Sequence, residues 1–164
     1  MIKIFNFLFV TMFGLGKVKF IPGTFGSLAT IIILYISFHI LHINSNIILL
    51  GILLIFGYSF FAITNYIKDH ENKDPKEIII DEFLGQSIPI YLYEISHGID
   101  KQSSQAIIFY GVSFILFRYF DIMKPFPVSY FDRKHKNSFG VIMDDVCAGL
   151  YVVAVLVLYM VFTS

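Results

Sequence analysis

The sequence predicts an all-α integral membrane helical bundle of about three to five membrane segments, with a short N-terminal helix lying at the membrane interface. Composition is the first reason. Of 164 residues, 57% are hydrophobic and 15% charged, and the mean hydropathy is +0.75. Soluble domains run at about 45–50% apolar and about 25% charged, and a soluble bundle this rich in Ile, Leu and Phe would expose large apolar patches. Second, several apolar runs approach the roughly 20 residues that cross a bilayer as helix. Third, the few charges are bunched, above all between Phe117 and Gly149. The length suits a single domain, 1–164. The net charge of zero gives no field that favours nucleic acid. Cys147, the single cysteine, excludes an internal disulfide and a multi-cysteine metal site.

The N-terminal MIKIFNFLFVTMFGLG carries a Lys and an apolar run as a signal peptide does. It lacks a small-x-small cleavage site, so it reads as the interfacial helix. Residues 14–30, with Gly14, Gly16, Pro22, Gly23 and Gly26, read as a loop of special backbone geometry. Phe25 to Ile43, nineteen residues, is a first span, and Ile47 to Thr64 a second, with the polar turn HINSN between them. KDHENKDPKE, residues 68–77, is a wet connector. Residues 78–95 are long enough to span but carry Asp81, Glu82 and Pro89. After SHGIDKQSS, the fifteen residues 106–120 suit a tilted span, a core helix or half of a re-entrant hairpin. Val146 to Phe162 is a last span.

Parity then groups the polar motifs. If residues 78–95 and 106–120 are two spans or one re-entrant hairpin, the Gly-rich loop, Asp81/Glu82, the Arg118–Lys136 stretch and Asp144/Asp145 share one face. Eleven of the twelve Lys and Arg fall on that face and only Lys101 on the other, which makes it the cytoplasmic one under the positive-inside rule. His39, His42 and His97 fall on the opposite side and read as interfacial residues.

Asp81 and Glu82 lie near the start of one apolar segment, and Asp144 and Asp145 directly precede another. Gly85 and Gly149 stand four residues after Asp81 and Asp145, on the same helix faces, where small residues allow close helix approach. Four carboxylates brought together repel one another unless a cation lies between them. Oxygen ligands favour Mg²⁺, Mn²⁺ or Ca²⁺. The alternative is helix capping, and for Asp144 the two readings stay open. Arg118, Asp121 and Lys124 recur every three residues and would share a helix face, with an Arg118–Asp121 ion pair as the bland reading. Arg133, Lys134, His135 and Lys136 form a basic cluster suited to phosphate or to anionic headgroups, or simply to fixing topology. In KVKFIPGTFGS the backbone N–H groups and Thr24 form a candidate anion cradle at a helix start. Cys147 reads as an apolar filler.

Three blocks, PGTFGSL at 22–28, DPKEIIIDEFLGQ at 74–86 and FRYFDIMKPFPVSYFDRKHKNSFGVIMDDVCAG at 117–149, together resemble the phosphatidylglycerophosphatase A family of bacterial membrane lipid phosphatases. The resemblance implies Mg²⁺-dependent hydrolysis of phosphatidylglycerophosphate to phosphatidylglycerol and phosphate at the cytoplasmic face of the inner membrane. It makes Asp81, Glu82, Asp121 and Asp145 the catalytic candidates and Asp81, Glu82, Asp144 and Asp145 the metal ligands. Lys124 and Arg133 become substrate-phosphate contacts, joined by Lys19, Thr24 and Arg118 as further substrate-binding candidates. A metal-activated water is the preferred nucleophile, with an aspartyl-phosphate intermediate as the other route. Two rival readings stand beside it: an ion channel or transporter subunit, whose acids would spread through the membrane depth, and a non-catalytic assembly protein binding anionic lipid.

Overall fold

A computed structural model describes residues 2–68, 75–97 and 103–163. The middle of the 68–77 connector and most of the 96–104 loop, with Lys73 and Lys101, lie outside the described residues. The described chain is all helical: α1 (Ile2–Val10), α2 (Pro22–Tyr35), α3 (Ser45–Ile67), α4 (Ile80–His97), α5 (Ser103–Met123), α6 (Val128–Lys134) and α7 (Ser138–Thr163). Among the described residues four segments are long and apolar enough to cross a membrane: Pro22–Ile40, Ser45–Ile67, Gln105–Met123 and Ser138–Phe162.

Helix α2 starts earlier than the loop-rich sequence suggests. Ile21 adopts a left-handed conformation (φ 45°), and Pro22 opens the helix, where its missing N–H costs nothing. The PGT stretch is therefore the first helical turn and not a loop. A π-helical turn, Ile36–Ile40, extends the same segment. Asn44 caps α3 by accepting a hydrogen bond from the Asn46 amide at 2.9 Å.

Helix α5 runs 21 residues, about 31 Å at 1.5 Å per residue, so the fifteen-residue reading was too short. Arg118 and Asp121 lie inside the helix, as their three-residue spacing predicts, their charges matched by a 2.5 Å ion pair. Helix α7 likewise begins at Ser138, eight residues before Val146. Its cap is Asn137, whose side chain accepts from the Gly140 amide at 3.1 Å. Asp144 and Asp145 sit in the second turn, so capping does not account for Asp144.

Helix α4 is the inner helix. It packs on α7, α2, α3 and α5, and Ile80, Phe83, Leu84 and Ile90 are buried. Its contact with α7 is especially close: a Cβ on Gly85 would collide with the carbonyl oxygen of Asp145, and one on Gly149 with that of Gly85. Pro89 lies inside α4 and cannot donate to the Gly85 carbonyl. Gly149 covers that oxygen.

The opposite end of α4 holds a second polar group. His39 Nε2 lies 3.2 Å from Glu94 Oε1, and the Tyr110 hydroxyl donates to the same oxygen at 3.1 Å. Tyr35 stacks on His39 with centroids 4.8 Å apart. His39, at the far end of the bundle from the four acids, is thus a mostly buried partner of a carboxylate (13% side-chain exposure).

Candidate active site

The first turns of α2 and α4, the second turn of α7 and the last turns of α5 meet around one cleft of about 210 Å³. Its lining includes Pro22 and Gly23 from α2, Lys76 and Ile78 from the segment before α4, and Asp81 and Glu82 from α4. Arg118, Asp121 and Lys124 enter from α5 and its end, and Asp144 and Asp145 from α7. The polar motifs that parity grouped on one face therefore meet at one end of the bundle.

Within the cleft Asp81, Glu82 and Asp145 each offer a carboxylate oxygen within 4.8 Å of the others. Asp81 and Asp145 are buried at 7% and 4% exposure. Two oxygens of this trio, Glu82 Oε2 and Asp145 Oδ1, are buried without a hydrogen-bond partner among the described residues. Oxygens left in that state are costly unless a cation meets them, and an all-oxygen set suits a hard cation. Asp144, the fourth expected ligand, is turned elsewhere. Its Oδ2 accepts from Lys124 Nζ at 3.0 Å, and its Oδ1 from the Asp145 amide, also at 3.0 Å.

The cations are arranged around this trio. Arg118 Nη1 pairs with Asp121 Oδ2 at 2.5 Å and lies 3.9 Å from Glu82 Oε1, while its buried Nε has no hydrogen-bond partner. Lys124 follows the end of α5 with φ 45°, so it leaves the Arg118–Asp121 helix face instead of continuing it. Its Nζ bridges Asp144 and Asp132 Oδ1, the latter at 2.6 Å. Burial works to lower the Lys124 pKa, but Asp144 and Asp132 outweigh it, and the net shift is upward. Lys124 stays charged.

Glycine makes room for these contacts. A Cβ on Gly23 would strike Glu82 Oε1 and come within 3.0 Å of Arg118 Nη1. The α2 start expected to cradle an anion is thus pressed against Glu82. Thr24 is the third residue of α2 and does not line the cleft. Lys19 is exposed in the preceding bend, and Arg133 is exposed in the last turn of α6; neither lines the cleft.

Two residues were missed in the sequence. Asp132 was counted only among the charges of its stretch, and it is the nearest partner of Lys124. Lys76 was assigned to a wet connector, and it lines the cleft four residues before α4. The only signal for Lys76 was its place within the DPKEIIIDEFLGQ block.

A sequence profile of the family described as Phosphatidylglycerophosphatase A matches residues 8–160. A Haemophilus influenzae protein named Phosphatidylglycerophosphatase A is 36% identical over 143 residues, 87% of this chain and 81% of that protein. Its Escherichia coli namesake is 31% identical over 139 residues, 84% of this chain and 73% of that one. A Bacteroides thetaiotaomicron protein, provisionally named a phosphatidylinositol-3-phosphatase, is 31% identical over 142 residues, covering 86% and 84% of the two chains. No solved structure matches the chain.

Proposed function

The chain belongs to the phosphatidylglycerophosphatase A family of phosphoric monoester hydrolases, and from that premise we propose that it removes the terminal phosphate of phosphatidylglycerophosphate with the help of Mg²⁺. The observation that carries this reading is the meeting of Asp81, Glu82 and Asp145 beside Arg118 and Lys124 at one end of a membrane bundle. A lipid headgroup lies at that depth, so the scissile phosphate reaches the cleft while the acyl chains stay in the bilayer.

Asp81, Glu82 and Asp145 would hold the cation. When bound, it would polarise a phosphoryl oxygen and acidify a water. The chain's own groups do the rest. Arg118 lines the cleft and offers its guanidinium to a phosphate oxygen, held in place by Asp121. Lys124, fixed between Asp132 and Asp144, adds positive charge where charge develops on the transferring group. Asp121 Oδ1, the oxygen not paired with Arg118, is the acceptor for the proton of an attacking water. Asp144 is a positioning residue for Lys124 in this scheme and not a ligand.

The site faces the cytoplasm of the inner membrane in this reading, following the Lys and Arg bias. In a Cys147→Ser background, a cysteine at exposed Lys136 should label only from the cytoplasmic side, and one at exposed Asn46 from the other. Labelling of both from one side would overturn the orientation.

The central experiment is phosphate release by purified protein in detergent, with and without Mg²⁺. Phosphatidylglycerophosphate and phosphatidylinositol 3-phosphate are offered in parallel, because the Bacteroides relative carries the other lipid's name. Metal-dependent release with preference for phosphatidylglycerophosphate is expected. Equal release in chelator, or preference for the inositol lipid, would overturn the respective part of the reading.

A further inference from the structure

Five carboxylates line the cleft, Asp81, Glu82, Asp121, Asp144 and Asp145, against three cationic side chains, Lys76, Arg118 and Lys124. Such a cleft repels a phosphate dianion unless its charge is compensated. Arg118 is committed to Asp121 and Glu82, and Lys124 to Asp144 and Asp132. Lys76 is exposed, and among the described residues it makes no ion pair. With a divalent cation on the trio, the lining carries one net negative charge if Lys76 is left out and none if it is counted. Among the lining side chains, Lys76 is thus the cation left to meet the anion's charge.

We propose that Lys76 is a substrate-binding residue whose ammonium meets a phosphate group of the lipid at the mouth of the cleft. This rests on the proposed lipid phosphatase activity and extends it to a recognition element. Its position supports the role. The backbone around Lys76 is held on both sides, since the Ile78 amide donates to Pro75 O at 3.0 Å and the Ile79 amide to Val10 O at 2.9 Å. The next residue, Glu77, accepts from the Tyr66 hydroxyl and lies 3.7 Å from Lys17 Nζ. The side chain thus hangs exposed from an anchored segment, as suits a point charge that meets an incoming anion. Phosphatidylglycerophosphate offers two such groups, the terminal monoester and the internal diester, and the test separates them.

The test compares wild type, Lys76→Gln and Lys76→Arg in detergent with Mg²⁺, measuring KM and kcat for phosphatidylglycerophosphate, the Ki of inorganic phosphate, and thermal protection by inorganic phosphate. Lys76→Gln should raise KM about 5-fold or more with kcat little changed, the signature of lost binding shared by ground and transition states, and Lys76→Arg should restore it. If phosphate Ki rises and thermal protection weakens as well, Lys76 meets the terminal monoester. If only KM rises, it meets the diester. An unchanged KM and Ki, or a loss confined to kcat, would overturn the proposal. Should wild type release no phosphate from the lipid, the activity reading fails by itself. Protection by inorganic phosphate that Lys76→Gln abolishes would then still support an anion site at Lys76, and its persistence in Lys76→Gln would reject one.

Discussion

The two ends of α4 both bury carboxylate, and they treat it in opposite ways. At the Glu94 end one acid meets His39 and the Tyr110 hydroxyl, and aromatic rings enclose the group. At the other end three acids crowd within 4.8 Å, and two of their oxygens, Glu82 Oε2 and Asp145 Oδ1, have no hydrogen-bond partner among the described residues. The first arrangement is complete within the chain. The second holds more acids than donors among the described residues, and in the proposed reading a bound cation balances it. Burial alone thus does not mark a functional acid in a membrane protein; the balance of acids to donors around it does.

That contrast is tested most severely by Asp145→Asn. It should lower phosphate release by at least about 10²-fold while the protein still inserts and folds. Activity near wild type at saturating Mg²⁺ would remove the distinction between the two ends. Next in size is Asp132→Asn, which leaves Lys124 held by Asp144 alone. A loss of about 10-fold is expected, larger in kcat than in KM if Lys124 acts on the transition state. An unchanged rate would mean that Lys124 needs no fixing by α6.

Glu94→Gln sharpens the comparison from the other side. The amide can still accept from Tyr110, so the expected cost is about 1–3 kcal/mol of stability, read as a lower midpoint in thermal unfolding in detergent. Phosphate release per folded molecule should stay within about 2-fold, since the cluster lies about 20 Å along the helix from Asp81. If Glu94→Gln matched Asp145→Asn in its effect on turnover, the two ends would be parts of one pathway, as a transporter reading requires. Cys147→Ser should do least. The free thiol sits half-buried against the α5–α7 packing and its replacement should leave turnover within about 2-fold. A variant that binds substrate without releasing phosphate would shift the chemistry to the thiol.

Much of this was legible in the sequence, and what was not has a physical cause. The spans of α2 and α3 follow from apolar runs with few charges. The lengths of α5 and α7 do not, because hydropathy treats Asp121, Asp144 and Asp145 as boundaries. Pairing and close packing draw these charges inside the helices. The glycines four residues beyond Asp81 and Asp145 announced the α4–α7 contact, since only a residue without Cβ permits it. Three of the four expected ligands converge, and no local pattern tells that Asp144 turns to Lys124. That depends on the left-handed step at Lys124 and on α6 folding back, which are tertiary facts. The His39–Glu94 pair was equally silent, being 55 positions apart.

The Gly85–Gly149 contact has a consequence for ion size. It fixes how near the carboxylates of one helix stand to those of the other, so it works as a gauge. Mg²⁺ and Ca²⁺ differ in their oxygen distances by only a few tenths of an ångström, about 2.0–2.1 Å against about 2.3–2.6 Å. A methyl group at Gly149 would meet the Gly85 carbonyl well inside contact distance and part the helices by more than that margin. Under the proposed cation-binding role, two hydrogen atoms on α carbons that touch no ion would thus help set which cation the acids are spaced to grip.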